Sequence, residues 1–212
     1  MRIWGLLLGP TIMILIGLQF LNNVLVTFIL FYIWLTVFSM RFIQKFTSNK
    51  LQKNVNKSVK WGLLSGIIFF LFIFCGLTLL NGYLFDIEHL QNVLKEWGFS
   101  GKAVYGLIFV LIITNPVLEE LYWRGYIYEK MKHKTTILFA SLVSAGFYTF
   151  YHLLSIMPLF DWPVNLAAVI PVFIAGLYWS YLREKTGSIV GPIISHVFSD
   201  LAIMFVYWFV IR

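Results

Sequence analysis

The sequence has little charge and almost no cysteine. Only 12% of its 212 residues are charged, against about 25% in soluble domains, while 60% are hydrophobic and the mean hydropathy is +0.84. That balance excludes a soluble globule, a disordered chain, a coiled coil and a nucleic-acid-binding module. The single cysteine, Cys75, rules out an intrachain disulfide and a cysteine-based zinc site, and it reads as a small buried apolar residue. No glycine-rich phosphate loop is present, so nucleotide hydrolysis is not expected. The H-E-x-x-H spacing of common zinc proteases is absent too. No serine has a lysine or histidine at a recognisable spacing. Ser144, Ser155, Ser180, Ser195 and Ser199 therefore read as packing or back-bonding residues. Internal repeats and low-complexity tracts are also missing.

What remains is apolar sequence long enough to cross a bilayer many times. A spanning helix needs about 20 mostly apolar residues. Candidate spans lie near 3–21, 24–40, 61–85, 103–128, 135–158, 163–182 and 188–211. The fold class expected is all-α: a polytopic membrane helix bundle of about seven helices, with a range of six to eight because Pro116 bends 103–128. The first span has one preceding cation, Arg2, and no small-residue cleavage site follows it, so it reads as a retained helix. Gly62-x-x-x-Gly66 marks a place where two helices can approach closely.

Residues 41–60 read as a basic loop, holding Arg41, Lys45, Lys50, Lys53, Lys57 and Lys60 and no acid. Placing this loop in the cytoplasm puts twelve of the sixteen lysines and arginines inside, three outside, and Arg124 within a span. That bias predicts a cytoplasmic N-terminus, and it reduces the net charge of +7 to a topology signal facing an anionic leaflet. The loop divides the chain into residues 1–60, two helices plus the basic segment, and 61–212, the helix bundle that carries the chemistry. The two parts are expected to form one integrated membrane domain.

Four charged residues sit where lipid should exclude them: Glu119, Glu120, Arg124 and Asp200. His152 and His196 are also within spans. A charge at mid-bilayer costs roughly 2.5–3.5 kcal/mol on insertion scales, so such groups face a protein interior or water, and six on three helices point to one shared site. Glu120 and Arg124 are four apart in the acid-first order and read as a structural pair. Glu119, rotated about 100° from Glu120, has no cation on its own helix and suits a general base or acid. His196 and Asp200 share a face, with Asp200 placed to fix the imidazole tautomer, and Tyr148 and His152 repeat the spacing on another helix. Such a set activates water either directly, with Glu119 as base, or through a metal held by Glu119, His152, His196 and Asp200. A rise of 1.5 Å per residue puts Glu119 ~15 Å and His196 ~12 Å from the cytoplasmic ends of their helices, but His152 ~26 Å. The helix from 135 is therefore expected to project into the cytoplasm.

The run Glu119-Glu120-Leu121-Tyr122-Trp123-Arg124-Gly125 reads E-E-x-x-x-R-G, Tyr148 to His152 reads F-x-x-x-H with tyrosine for phenylalanine, and His196 to Asp200 reads H-x-x-x-N/D. Over about residues 105–205 these three motifs, in order, resemble the CAAX protease and bacteriocin-processing family. These are the Abi-type membrane proteins that include type II CAAX prenyl endopeptidases. The resemblance implies a glutamate-dependent, metal-independent intramembrane endopeptidase. Glu119 and His152 would polarise the attacking water, His196 and Asp200 would stand at the oxyanion side, and Glu120 and Arg124 would hold the helix geometry. Tyr148 would support the site and adds a hydroxyl to it. At Asp200 an asparagine would donate to an oxyanion, whereas an ionised aspartate does not. Asp200 either donates as the neutral acid or only orients His196.

The expected activity is cleavage of a membrane-embedded or lipidated peptide, in a bacterial cell membrane, at a site opening toward the cytoplasm. No cofactor is expected, and zinc is the less favoured variant. The competing readings are a non-catalytic membrane partner, such as a bacteriocin-immunity protein, and a small carrier or proton relay. The last is weakened because the two halves show no matching broken helices.

Overall fold

The computed structural model describes residues 3–47, 53–84 and 86–212. Arg2 and Lys50, and the side chains of Arg41 and Lys45, lie outside the described residues. The long elements are all helical: α1 (Ile3–Phe20), α2 (Val24–Thr47), α3 (Val55–Leu79), the short α4 (Ile87–Glu96), α5 (Ala103–Lys132), α6 (Ile137–Ile156), α7 (Val164–Thr186) and α8 (Val190–Ile211). Among the described residues six of these are long and apolar enough to cross a membrane, and α2 adds the shorter apolar stretch Val24–Met40. The chain is an integral membrane protein with an all-α bundle.

The basic loop expected over 41–60 is instead largely helix. Helix α2 continues to Thr47 and α3 begins at Val55. No glycine or proline interrupts 41–60, and lysine and arginine are good helix formers, so both helices run on past their apolar stretches. Asn54, in the left-handed region at φ 48°, turns the chain into α3. Elsewhere the punctuation is ordinary. Asp86 caps α4 by accepting from the His89 amide at 3.0 Å, Thr136 caps α6 through the Phe139 amide at 3.2 Å, and Gly187 ends α7 at φ 67°.

Helix α5 is the element that carries the acidic pair, and it is not a uniform α-helix. Residues Val110–Thr114 and Leu121–Ile127 are wound as π-helix, flanking α-helical Asn115–Glu120. Pro116 lacks an amide hydrogen and its ring crowds the carbonyl one turn back, so the turn before it widens instead of breaking. Widened turns of this kind concentrate at functional sites.

Close packing holds α8 beside α3. A Cβ on Gly62 would sit 2.6 Å from the Gly191 carbonyl oxygen, and one on Gly66 would sit 3.0 Å from the Phe198 ring. The Gly62-x-x-x-Gly66 spacing therefore does permit a close approach. Ser58 fastens the same contact, its Oγ accepting from the Gly191 amide at 2.9 Å and donating to the Ser188 carbonyl at 3.4 Å. On the opposite side, Tyr122 of α5 donates to the Leu6 carbonyl of α1 at 2.6 Å and accepts from Trp34 Nε1 of α2 at 3.0 Å. Cys75, expected to be buried, is exposed on α3, because no residue of that helix beyond Gly66 is buried.

Candidate active site

Helices α5, α6, α7 and α8 bring the intramembrane polar residues to one place. Glu120 and Arg124 form the expected pair, with Arg124 Nη1 donating to Glu120 Oε1 at 2.9 Å and neither side chain exposed. The guanidinium also lies over the rings of Tyr148, 4.5 Å from its centroid, and Trp179, at 5.1 Å. A desolvated cation over two aromatic faces gains about 2 kcal/mol or more, which offsets part of the burial. Space for this head group depends on Gly176 of α7, where a Cβ would stand 2.8 Å from Arg124 Nη2.

The imidazole of His196 is the centre of the cluster. Its Nδ1 is 3.1 Å from Glu120 Oε1, which already accepts from Arg124. An ionised carboxylate only accepts, so Nδ1 carries the proton and Nε2 turns toward the remaining groups. Around Nε2 stand Tyr148 Oη at 3.3 Å, Asp200 Oδ1 at 3.5 Å and Glu119 Oε2 at 3.6 Å. Asp200 was expected to orient this ring. The shorter contact that does so comes from Glu120, which leaves Asp200 on the Nε2 side. Trp179 stacks on the imidazole at 4.2 Å between centroids, and its Nε1 donates to Ser195, which also receives the Ser65 hydroxyl. His196 is thus held in its plane by α7 and in its tautomer by α5.

Glu119 is buried, and its Oε2 has no hydrogen-bonding partner, as is true of the neighbouring Tyr151 hydroxyl. His152 is one turn from the cluster. Its Nδ1–H donates to the Tyr148 carbonyl at 2.9 Å, which leaves Nε2 as the unprotonated nitrogen. Its ring contacts those of Tyr148 and Tyr151 at 4.4 and 4.5 Å, and it makes no direct hydrogen bond to Glu119, His196 or Asp200.

Three contributors were not anticipated. Asn115 donates to Asp200 Oδ2 at 3.3 Å and accepts from Tyr32 Oη, also at 3.3 Å. Asn115 had a signal, being a polar residue four before Glu119 in an apolar run. Tyr32 and Trp179 had none, as aromatic residues are everywhere in this chain. Through Tyr32, the N-terminal helices reach the site edge although they carry no intramembrane charge.

Of the residues named as metal ligands in the zinc variant, Glu119, His196 and Asp200 meet around His196 Nε2, and His152 stands one turn away. Among the described residues no group of three or more His, Cys, Asp or Glu side chains is arranged to hold an ion. Nδ1 of His152 is taken by backbone and Nδ1 of His196 by Glu120, which leaves Nε2 of each ring as the nitrogen a metal or a water would meet.

A buried carboxylate beside an oriented imidazole, two phenols and a second carboxylate has the parts for water activation. Residues 101–202 match the family model described as Type II CAAX prenyl endopeptidase Rce1-like. No curated protein and no solved structure matches the chain.

Proposed function

We propose, from the premise that residues 101–202 belong to the type II CAAX prenyl endopeptidase Rce1-like family, that this protein is a glutamate-dependent intramembrane endopeptidase. Its substrate is a membrane-embedded or lipidated peptide. The observation that carries the reading is Glu119 Oε2, buried without a hydrogen-bonding partner 3.6 Å from His196 Nε2. That gap is too long for a direct hydrogen bond and too short to admit a group between the two atoms, so a reacting water stands beside the pair, within reach of both.

In this mechanism Glu119 takes a proton from water, whose oxygen attacks the scissile carbonyl carbon. Nε2 of His152, kept unprotonated by the bond its Nδ1–H makes to backbone, helps to draw the water proton. The carbonyl oxygen becomes an oxyanion on the side of His196 and Tyr148. The C–N bond then breaks as Glu119 returns the proton to the departing nitrogen, leaving an amine and a carboxylic acid that gives up its own proton on release to water. Asp200, held by Asn115, stands beside His196 Nε2 at the partly exposed edge of the site. Glu120 and Arg124 act by positioning.

The loop charges favour a cytoplasmic N-terminus. The test compares membrane peptidomes of cells carrying the parent chain and Glu119→Ala, together with cleavage of the peptides so found by the purified proteins. Glu119→Ala is expected to lose cleavage by roughly 10²–10⁴-fold or more. Undiminished cleavage by Glu119→Ala or His196→Ala would overturn the mechanism. A phenotype that survives Glu119→Gln would favour a non-catalytic partner.

A further inference from the structure

We infer that Asn115 is a further catalytic residue of this site: a free N–H of its carboxamide donates to the carbonyl oxygen of the bond being cleaved, an inference that rests on the endopeptidase reading. The first observation is how the side chain is held. Its Oδ1 accepts from the Tyr32 hydroxyl of α2 at 3.3 Å, and its Nδ2 donates to Asp200 Oδ2 of α8, also at 3.3 Å. The carboxylate only accepts and so takes the NH2 end, which turns the carbonyl end to the hydroxyl. A carboxamide carries two N–H groups, and among the described residues the second meets no acceptor. Asn115 also opens the α-helical segment Asn115–Glu120 after the widened turn Val110–Thr114. It therefore shares a face with Glu119, four residues on and about 6 Å along the axis. Asn115 and Asp200 are both partly exposed, whereas Glu119 and His196 are buried. The free N–H thus lies at an open edge of the cluster, within a turn of the base.

The second observation is that the cluster is rich in acceptors and poor in donors. Nδ1 of His196 commits its proton to Glu120, and Nδ1 of His152 commits its own to the Tyr148 carbonyl, so both Nε2 atoms face the site as acceptors beside the carboxylates of Glu119 and Asp200. The Arg124 guanidinium is engaged by Glu120 and by the rings of Tyr148 and Trp179. The hydroxyl protons of Tyr148 and Tyr151 remain, and Tyr148 Oη already stands 3.3 Å from His196 Nε2. An oxyanion forming among such groups needs a donor that no neighbouring base can deprotonate. A carboxamide N–H is one, being neutral and fixed in direction by two bonds before the peptide arrives. Asp200 Oδ2 holds Asn115 while its Oδ1 is 3.5 Å from His196 Nε2, so one carboxylate separates the amide from the imidazole. No proton moves in this step: the N–H stays on Asn115, and its bond to the oxygen strengthens as charge develops. Asp200 then anchors the donor and is not itself one. Tyr32 is a positioning residue, which gives the N-terminal helices a part in the chemistry.

The test uses the full chain and a peptide that membranes with the parent protein release and membranes with Glu119→Ala do not. Asn115→Leu keeps the size of the side chain and removes both ends of the carboxamide. Its kcat should fall by roughly 10²–10³-fold, with KM and melting temperature near the parent values, because the lost bond is one made in the transition state. Adding Asp200→Asn to that variant returns an amide to the same edge, beside His196 Nε2, and should recover most of the rate. A loss that Asp200→Asn leaves unrecovered would make Asn115 only a support for Asp200 and would overturn the inference. So would a loss that merely follows a lowered melting temperature. Cleavage by Asn115→Leu at the parent rate, with Glu119→Ala inactive, would overturn it too and leave the endopeptidase reading standing. If no peptide distinguishes the parent from Glu119→Ala, the endopeptidase reading falls and this inference falls with it.

Discussion

Glu120 Oε1 serves two donors, Arg124 Nη1 at 2.9 Å and His196 Nδ1 at 3.1 Å. Half of this was legible in the sequence. A four-residue acid-first spacing on one helix predicts the Arg124 pair, but a contact across 76 residues leaves no trace in local spacing. Removing the acid strands a buried guanidinium, so Glu120→Ala should destabilise the protein by about 3–5 kcal/mol, read as a large drop in the detergent melting temperature. Tyr148 offers the opposite case. Its ring supports Arg124 and three other aromatic neighbours, while its hydroxyl points at His196 Nε2, 3.3 Å away. Tyr148→Phe keeps the ring and deletes only that donor. If the hydroxyl serves the oxyanion, kcat should fall by roughly 10²-fold with KM and melting temperature unchanged. Equal loss of kcat and thermal stability would make it a packing group alone.

At the scale of elements, the spans were readable because apolar length is a strong signal, but their ends were not. Charged residues extend helices as readily as they end them, so the basic segment 41–60 became the ends of α2 and α3. Depth was harder still. Tyr148 lies 11 residues into α6 and His196 only 6 into α8, yet they touch, so α6 starts about 8 Å further toward the basic side at 1.5 Å per residue. That offset has the direction anticipated for a projecting helix. The π-helical turns around Asn115–Glu120 had no cue beyond Pro116. Helix α8, which carries His196 and Asp200, is set in place by the glycine contact with α3. Gly62→Leu would drive a side chain into the Gly191 backbone and should cost about 1–3 kcal/mol along with activity, because α8 must move. Gly76→Leu on the same helix meets nothing within 4 Å and should leave both melting temperature and cleavage near the parent values.

Over the whole molecule, the same end that gathers the positive charge also gathers the packing. Loop charge predicts the topology there, but the closure of that end was not legible, since it depends on contacts between residues far apart in sequence. Four charged groups from the ends of α5 and α7 tie it together. Arg183 Nη2 donates to Glu129 at 2.9 Å, and Lys132 bridges Glu129 at 3.6 Å and Glu184 at 2.9 Å, with Tyr128 donating to the same Glu184 oxygen at 2.9 Å. These bonds are unequal. The Arg183 side chain is 5% exposed and its Nε has no partner, so Glu129 supplies what pairing it has. Lys132 is 28% exposed, and water and salt screen it. Glu129→Ala should therefore destabilise the bundle by about 1–3 kcal/mol, the range for leaving a buried donor unpaired. Lys132→Ala should cost less than about 1 kcal/mol, as an exposed pair does. Melting the two variants at low and high salt separates the cases. The Lys132→Ala deficit should shrink as salt rises, whereas the Glu129→Ala deficit should persist, because the desolvated Arg183 that causes it is out of reach of the ions. Equal, salt-sensitive deficits would mean that the closed end is held by surface charge and not by buried pairing.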